Sequence, residues 1–269
     1  MPRSPARAPR RRRSRATSSK RFATASAKRA AFSAGCGSGR PPDAAPPTRS
    51  ERAAAPAVLT VNEVFFSIQG EGTRAGQPCV FVRLTGCPLR CVWCDTAYAF
   101  HEGTRRAEED LIAEIERHPC RLVELTGGEP LSQPGAFPFI TRLLDAGWQV
   151  LVETSGHVLL EGLDRRAVAI MDIKAPGSGE THRMEWRNLE LLKPTDEVKF
   201  VIAGRADYEW SRDLARERGL FARCPVLFSP VHGVLEPGEL AGWILEDGLP
   251  ARLQVQLHKY LWPGVERGV

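Results

Sequence analysis

Residues 86–96 read GCPLRCVWCDT, which sets three thiols, Cys87, Cys91 and Cys94, three and then two residues apart. That spacing brings three sulfurs together on one loop. Three thiolates are one short of the four ligands that close a structural zinc site or hold a four-iron cluster. The trio therefore points to a cluster with one iron left open for another ligand. A partial zinc knuckle and a reactive redox loop share the spacing and stay open on the cysteines alone. A disulfide framework does not fit, because seven cysteines with three of them clustered is not the even, dispersed usage of a secreted scaffold. Cys79 and Cys224 lie in or beside apolar runs, where cysteine packs as a small hydrophobe, and Cys36 and Cys120 are assigned no chemistry either.

Outward from that loop, short apolar runs alternate with helical patterns. The runs cover residues 80–84, 122–126, 150–153, 168–173, 198–202, 226–229 and 253–257. Between them, helices are predicted over 108–118, 137–146, 185–192, 208–218 and 237–246. In the first helix Leu111, Ile112 and Ile115 share one face with acids opposite, and Asp207 is placed to cap the fourth. Strand, crossover helix and strand in repetition predict an α/β fold with a parallel sheet. A closed eight-fold barrel takes ~250 residues, and 58–269 offers fewer. The expectation is a partial, open TIM-like β/α barrel of six to seven parallel strands. Reactive groups in such barrels gather at the carboxyl ends of strands. The cysteine loop, Thr126-Gly127-Gly128-Glu129-Pro130, Glu153-Thr154-Ser155-Gly156 and Asp172-Ile173-Lys174 all fall there.

Charge divides the chain. Residues 1–57 carry fourteen Lys and Arg against Asp43 and Glu51, a net of +12, which leaves −7 for 58–269 within the overall +5. The basic character thus gives no reason for the globular part to bind nucleic acid or membrane. Rich in Ala, Arg, Ser and Pro, the first segment buries too little to offset its ordering entropy. It reads as a disordered basic arm, as an organellar targeting segment, or as a stretch that is not translated. The abrupt domain onset at Val58 favours the last. No apolar stretch of 18 residues occurs, so no transmembrane span is predicted.

Two further groupings carry weight. Glycines in Gly127-Gly128-Glu129 let the backbone approach a ligand closely. Asp172 and Lys174, two apart at a strand end, point to one side, as a sheet-edge ion pair or as ligand contacts. His258 and Lys259 are either pocket groups or a surface pair on a late strand. His101, His118, His157 and His182 read as solvated or core histidines.

The cysteine pattern, with Trp93 before the last thiol and Gly127-Gly128-Glu129 one strand later, resembles the radical S-adenosylmethionine enzymes. The segment VNEVFFSIQGEG at 61–72 narrows this to a resemblance to the 7-carboxy-7-deazaguanine synthase family. So do Phe81-Val82-Arg83-Leu84, Cys94-Asp95-Thr96 and Leu257-His258-Lys259-Tyr260. The resemblance implies that Cys87, Cys91 and Cys94 hold a [4Fe–4S] cluster whose open iron binds S-adenosylmethionine. It places Trp93, Cys94, Asp95, Gly128, Asp172, Ile173, Lys174, Ser229, Pro230, Val231 and His232 around that cofactor. Thr96 is implied to meet Mg2+, and Ile68, Gln69, Gly70, Arg83, Thr126 and Pro263 the pterin substrate. Many members carry Ser-Pro-Lys where this chain has Asp172-Ile173-Lys174, and some end at a proline where this sequence continues from Pro263 to Val269.

The resemblance implies a carbon–nitrogen lyase of queuosine and 7-deazapurine biosynthesis. It would convert 6-carboxy-5,6,7,8-tetrahydropterin to 7-carboxy-7-deazaguanine with loss of ammonia, through a 5′-deoxyadenosyl radical. It also implies a flavodoxin- or ferredoxin-like electron donor, a homodimer and a cytoplasmic location, with no nucleic-acid or membrane partner. Two other readings are a glycyl-radical activating enzyme and a non-enzymatic metal-binding module.

Overall fold

Val, Ile, Leu and Phe at alternating positions drive the apolar runs into one sheet. The computed structural model describes residues 57–269, and the expectations for the basic segment lie outside these residues, Ala57 apart. In chain order the strands are β1 Val58–Ile68, β2 Pro78–Leu84, β3 Thr104–Ala107, β4 Leu122–Gly127 and β5 Gln149–Thr154. They continue with β6 Val168–Ile173, β7 Glu197–Ile202, β8 Val226–Pro230 and β9 Arg252–Leu253. Their order across the sheet is β3-β1-β2-β4-β5-β6-β7-β8-β9. From β2 to β9 every neighbouring pair is parallel, which gives the seven parallel strands of an open α/β half-barrel. β1 joins β2 and β3 antiparallel at one edge, with a register shift between Val61 and Glu63.

The two faces of the parallel strands differ in chemistry. Outward residues such as Val80, Val82, Val123, Leu125, Val150, Val152, Val198 and Phe200 join helix side chains in the main core. The helices are α1 Glu108–Ile115, α2 Ala136–Asp145, α3 Asn188–Leu191, α4 Arg205–Glu217, α5 Pro237–Glu246 and α6 Leu257–Leu261. Helix α2 shows the logic: Ala136, Phe139, Ile140 and Leu143 are buried at i, i+3, i+4 and i+7. Gly147, at φ 84°, turns the chain left-handed after it, while Trp148 N–H donates to the Leu143 carbonyl at 3.1 Å. Each large aliphatic or aromatic side chain sealed here stabilises by roughly 1.5–3 kcal/mol. Inward, Cys79, Phe81, Leu122, Leu151 and Ile170 form a smaller apolar floor. One step nearer the carboxyl ends, inward positions switch to Arg83, Glu124, Glu153, Asp172 and Lys199.

Two local expectations are corrected. The run at 253–257 is strand only over Arg252–Leu253, because the Gln254 amide turns inward to bond Gly70 and Gly72, and helix α6 starts at Leu257. Asp207 is not the cap of α4, which begins at Arg205 after Gly204. From inside the first turn its carboxylate accepts from the Ala203 N–H at 3.2 Å and the Gly177 N–H at 2.8 Å.

Candidate active site

At the carboxyl ends of the strands a cavity of about 320 Å³ opens, within the range of small-molecule sites. Its upper wall is the cysteine loop. That loop is fixed by its neighbour, the turn after β4. A Cβ on Gly127, which sits at φ 140°, would lie 2.1 Å from the Leu84 carbonyl oxygen, and one on Gly128 only 2.3 Å from that of Gly86. The Glu129 N–H donates to the Gly86 carbonyl at 2.8 Å, so turn and loop are joined as well as touching. Glu129 is fully buried, accepting from Leu131 N–H at 3.0 Å, Thr154 Oγ1 at 3.0 Å, and Ser155 N–H and Oγ at 2.7 Å each. One carboxylate thereby ties the end of β4 to the end of β5. On the far side Arg90 donates to the Cys87 carbonyl at 2.7 Å and stacks over Phe100 at 4.2 Å.

Cys87, Cys91 and Cys94 all line the cavity, and all three are free thiols. Burial pushes each thiol up, while the Lys174 ammonium pulls each back down. They become good ligands when a metal supplies the compensating charge. Among the described residues no three His, Cys, Asp or Glu converge on a point that one ion could fill. Thiols set around a cavity wall fit a multi-iron cluster better than a single ion. Below them Lys174 Nζ meets Asp172 Oδ2 at 2.7 Å, and Asp172 Oδ1 is buried with no partner. An orphaned carboxylate oxygen on a cavity wall fits a hydroxyl-bearing ligand such as a cofactor ribose.

The opposite wall comes from the segment after β1. Ile68, Gln69 and Gly70 line the cavity, and Gly70 is pressed beneath His258, whose Nδ1 would be 2.5 Å from any Cβ there. Burial keeps the His258 imidazole below its usual range. Arg83 is held ready: its Nε meets Glu63 at 2.7 Å, and its guanidinium lies over the rings of Phe65 and Tyr98 at 5.6 and 5.8 Å. Lys199, buried on β7, pairs with Glu71 at 2.7 Å and with Glu153. Although burial opposes ionisation of Glu153, the Lys199 charge prevails and holds that carboxyl below its ordinary range.

The structure brings nearly every anticipated residue to this one cavity. Trp93, Asp95, Thr96, Thr126, Gly128, Ser229, Pro230, Val231 and His232 line it with those above. Ile173 instead points into the outer core. Pro263 does not line the cavity, whereas Val265, Glu266 and Val269 do, with Arg267 stacked on Tyr98 at 4.1 Å and paired with Glu102 at 2.9 Å. His258 and Lys259 prove to be pocket groups on a helix and not a strand pair. The reading from sequence gave no role to Glu71, Glu124, Tyr98, Lys199 or Gln256. For Glu124 and Lys199 the signal is a lone ionisable residue flanked by apolar ones, as in LVELT and VKFVI, whereas Glu71, Tyr98 and Gln256 carry no such local mark.

Comparison with known proteins agrees with this geometry. Residues 81–217 match the family model described as the radical SAM superfamily. The 7-carboxy-7-deazaguanine synthase of Koribacter versatilis is 43% identical over 226 residues, covering 78% of this chain and 100% of that protein. The enzyme of the same name from Chlorobaculum tepidum is 44% identical over 216 residues, covering 79% and 98%. The crystal structure of QueE from Escherichia coli superimposes with a TM-score of 0.59 at 24% identity, over 75% of this chain and 95% of that one, a likeness of fold. By sequence over the whole described domain, the chain belongs to the radical SAM superfamily and, within it, to the 7-carboxy-7-deazaguanine synthase family.

Proposed function

We propose that this protein converts 6-carboxy-5,6,7,8-tetrahydropterin to 7-carboxy-7-deazaguanine with release of ammonia. The observation that carries the reading is the union, in one cavity, of a three-thiol wall and a buried chamber of fixed charges. Cys87, Cys91 and Cys94 would hold a [4Fe–4S] cluster, and Asp172, Lys174 and the Ser229–His232 stretch would hold S-adenosylmethionine beside it. When bound, cluster and cofactor supply the radical that removes a hydrogen from the substrate.

The chain's own groups orient the substrate and keep water out. Arg83, already braced by Glu63 and two rings, offers its terminal nitrogens to a carboxylate without losing much side-chain freedom. Glu71 and Glu153, both paired with Lys199, are acceptors for ring N–H and amino groups. Thr126 Oγ1 bonds Glu153 at 3.3 Å and steadies it. The Ile68–Gly70 backbone forms a ledge along the ring edge, with His258 above it. Thr96, whose hydroxyl donates to Asp95 at 2.9 Å, is the proposed magnesium contact. Substrate oxygens and waters would supply the remaining ligands, and the ion would act as template and charge clamp. The same reading includes a flavodoxin- or ferredoxin-like electron donor and a homodimer, both resting on family membership. Among the described residues no helix is long and apolar enough to cross a membrane.

The test is anaerobic reconstitution with iron and sulfide, then incubation with the pterin, S-adenosylmethionine, magnesium and reductant. A product with the mass of 7-carboxy-7-deazaguanine is expected. Cofactor cleavage with the pterin returned unchanged would redirect the search to a protein substrate, as for a glycyl-radical activating enzyme.

A further inference from the structure

One buried carboxyl group on the cavity wall, that of Glu124, has no part in the reading above. Glu124 lies on β4, paired in register with Phe81 of β2 and Leu151 of β5, and is only 3% exposed. Its Oε2 accepts a hydrogen bond from Gln69 Nε2, and Gln69 Oε1 in turn accepts from the Glu71 N–H at 3.0 Å. The Gln69 main chain is held at both ends of its peptide by Gln77 and Gly76, each at 2.8 Å. A single side-chain amide therefore links Glu124 to the ledge of residues 68–70.

The ionisable groups that face Glu124 are Glu71 beyond β1, Cys79 on β2, Glu153 on β5 and Lys199 on β7. Lys199 bonds Glu71 and Glu153, and among the described residues no cation bonds Glu124. Three carboxyls around one ammonium leave one without a counter-charge, and the one set deepest over the apolar floor is Glu124. Burial first, then the charges of Glu153 and Glu71, push its carboxyl well above the ordinary range, against the pull of Gln69 and Lys199.

We propose that Glu124 is a positioning residue acting as an un-ionised carboxylic acid, pinning Gln69 and with it the ledge that receives the planar ring of the substrate. A proton here removes the repulsion that a third carboxylate would exert on Glu71 and Glu153. Loss of that proton toward alkaline pH drives Glu124 from its neighbours and loosens the ledge. The kinetic part of this inference rests on the pterin reading, whereas the protonation state does not.

Two variants and two readouts test it. Glu124→Gln keeps shape and acceptor but cannot ionise; Glu124→Ala removes the anchor. At neutral pH Glu124→Gln should keep the wild-type KM. Glu124→Ala, which leaves the Gln69 amide unpaired, should raise KM roughly tenfold with kcat little changed. Wild-type KM should climb toward alkaline pH, and that of Glu124→Gln should stay flat. Independently of turnover, the infrared carbonyl stretch of an un-ionised carboxylic acid should be present in wild-type protein at neutral pH and missing in Glu124→Gln. Absence of that band in the wild type overturns the proposal, as does an alkaline climb that persists in Glu124→Gln. A fall in kcat alone in Glu124→Gln also overturns it, by making the proton itself a reactant. If iron-replete wild-type protein leaves the pterin untouched, the pterin reading fails while the infrared band still decides the state of Glu124. If Glu124→Ala does not fold, Glu124→Gln and its band carry the test.

Discussion

Gly128→Ala adds one methyl group at the contact between the turn after β4 and the cysteine loop. Built on the native backbone, that methyl would lie 2.3 Å from Gly86 O, 2.6 Å from Gly86 C and 2.7 Å from Cys87 Cβ, all closer than the 3.0 Å that real Cβ atoms respect. The first neighbour alone must retreat by 0.7 Å, the difference between 2.3 and 3.0 Å. Every nearby atom is main chain or Cβ, so no flexible side-chain end can absorb the clash. Overpacking of this kind costs about 1–3 kcal/mol. In a domain of this size that lowers Tm by roughly 2–12 °C. More telling, the displaced segment carries Cys87, so iron and sulfide bound per chain after anaerobic reconstitution should fall along with Tm. Gly242→Ala is the control: it lies within α5 with nothing inside 4 Å of an added Cβ. It should gain up to about 1 kcal/mol in helix propensity and bind a full complement of iron. Wild-type Tm together with wild-type iron in Gly128→Ala would refute the claim that this turn sets the cysteine loop.

Three other substitutions probe the chamber below. Arg83→Ala should raise the pterin KM by roughly 10–100-fold, the loss of a charged hydrogen-bonding pair, with iron content unchanged; an unmoved KM excludes the carboxylate grip. Lys199→Met strips the cation from Glu71 and Glu153, and denaturant unfolding should show a loss of roughly 3–5 kcal/mol. A loss below 1 kcal/mol would mean the carboxyls there are already neutral or solvated. Thr96→Ala should shift the magnesium concentration needed for half-maximal turnover upward, and an unchanged metal titration removes Thr96 from that role.

Much of this was legible in the chain because parallel strands buried on both faces read as plain apolar runs. Six of the seven predicted runs became strands close to their predicted bounds. The half-barrel edge was less legible. β1 contains Asn62 and Glu63 in its middle, and its burial fits no simple alternation, since the register slips at that pair and Glu63 turns in to hold Arg83. β3, Thr-Arg-Arg-Ala, has no apolar signature and is strand only through pairing with β1. At the other edge β9 shortens because Gln254 is drawn inward by the backbone of residues 70 and 72. Within the site, local spacing announced the thiols. The buried charges were harder to see because their partners lie far apart in sequence, as Lys199 does from Glu71 and Glu153.

The proposed chemistry requires three thiolates that leave one iron free for S-adenosylmethionine, and electron paramagnetic resonance of the reduced, anaerobically reconstituted protein tests this most directly. The signal of a reduced [4Fe–4S] cluster should appear in wild-type protein, shift when S-adenosylmethionine is added, and vanish in Cys91→Ala. A signal that ignores the cofactor, or that survives in Cys91→Ala, would contradict it.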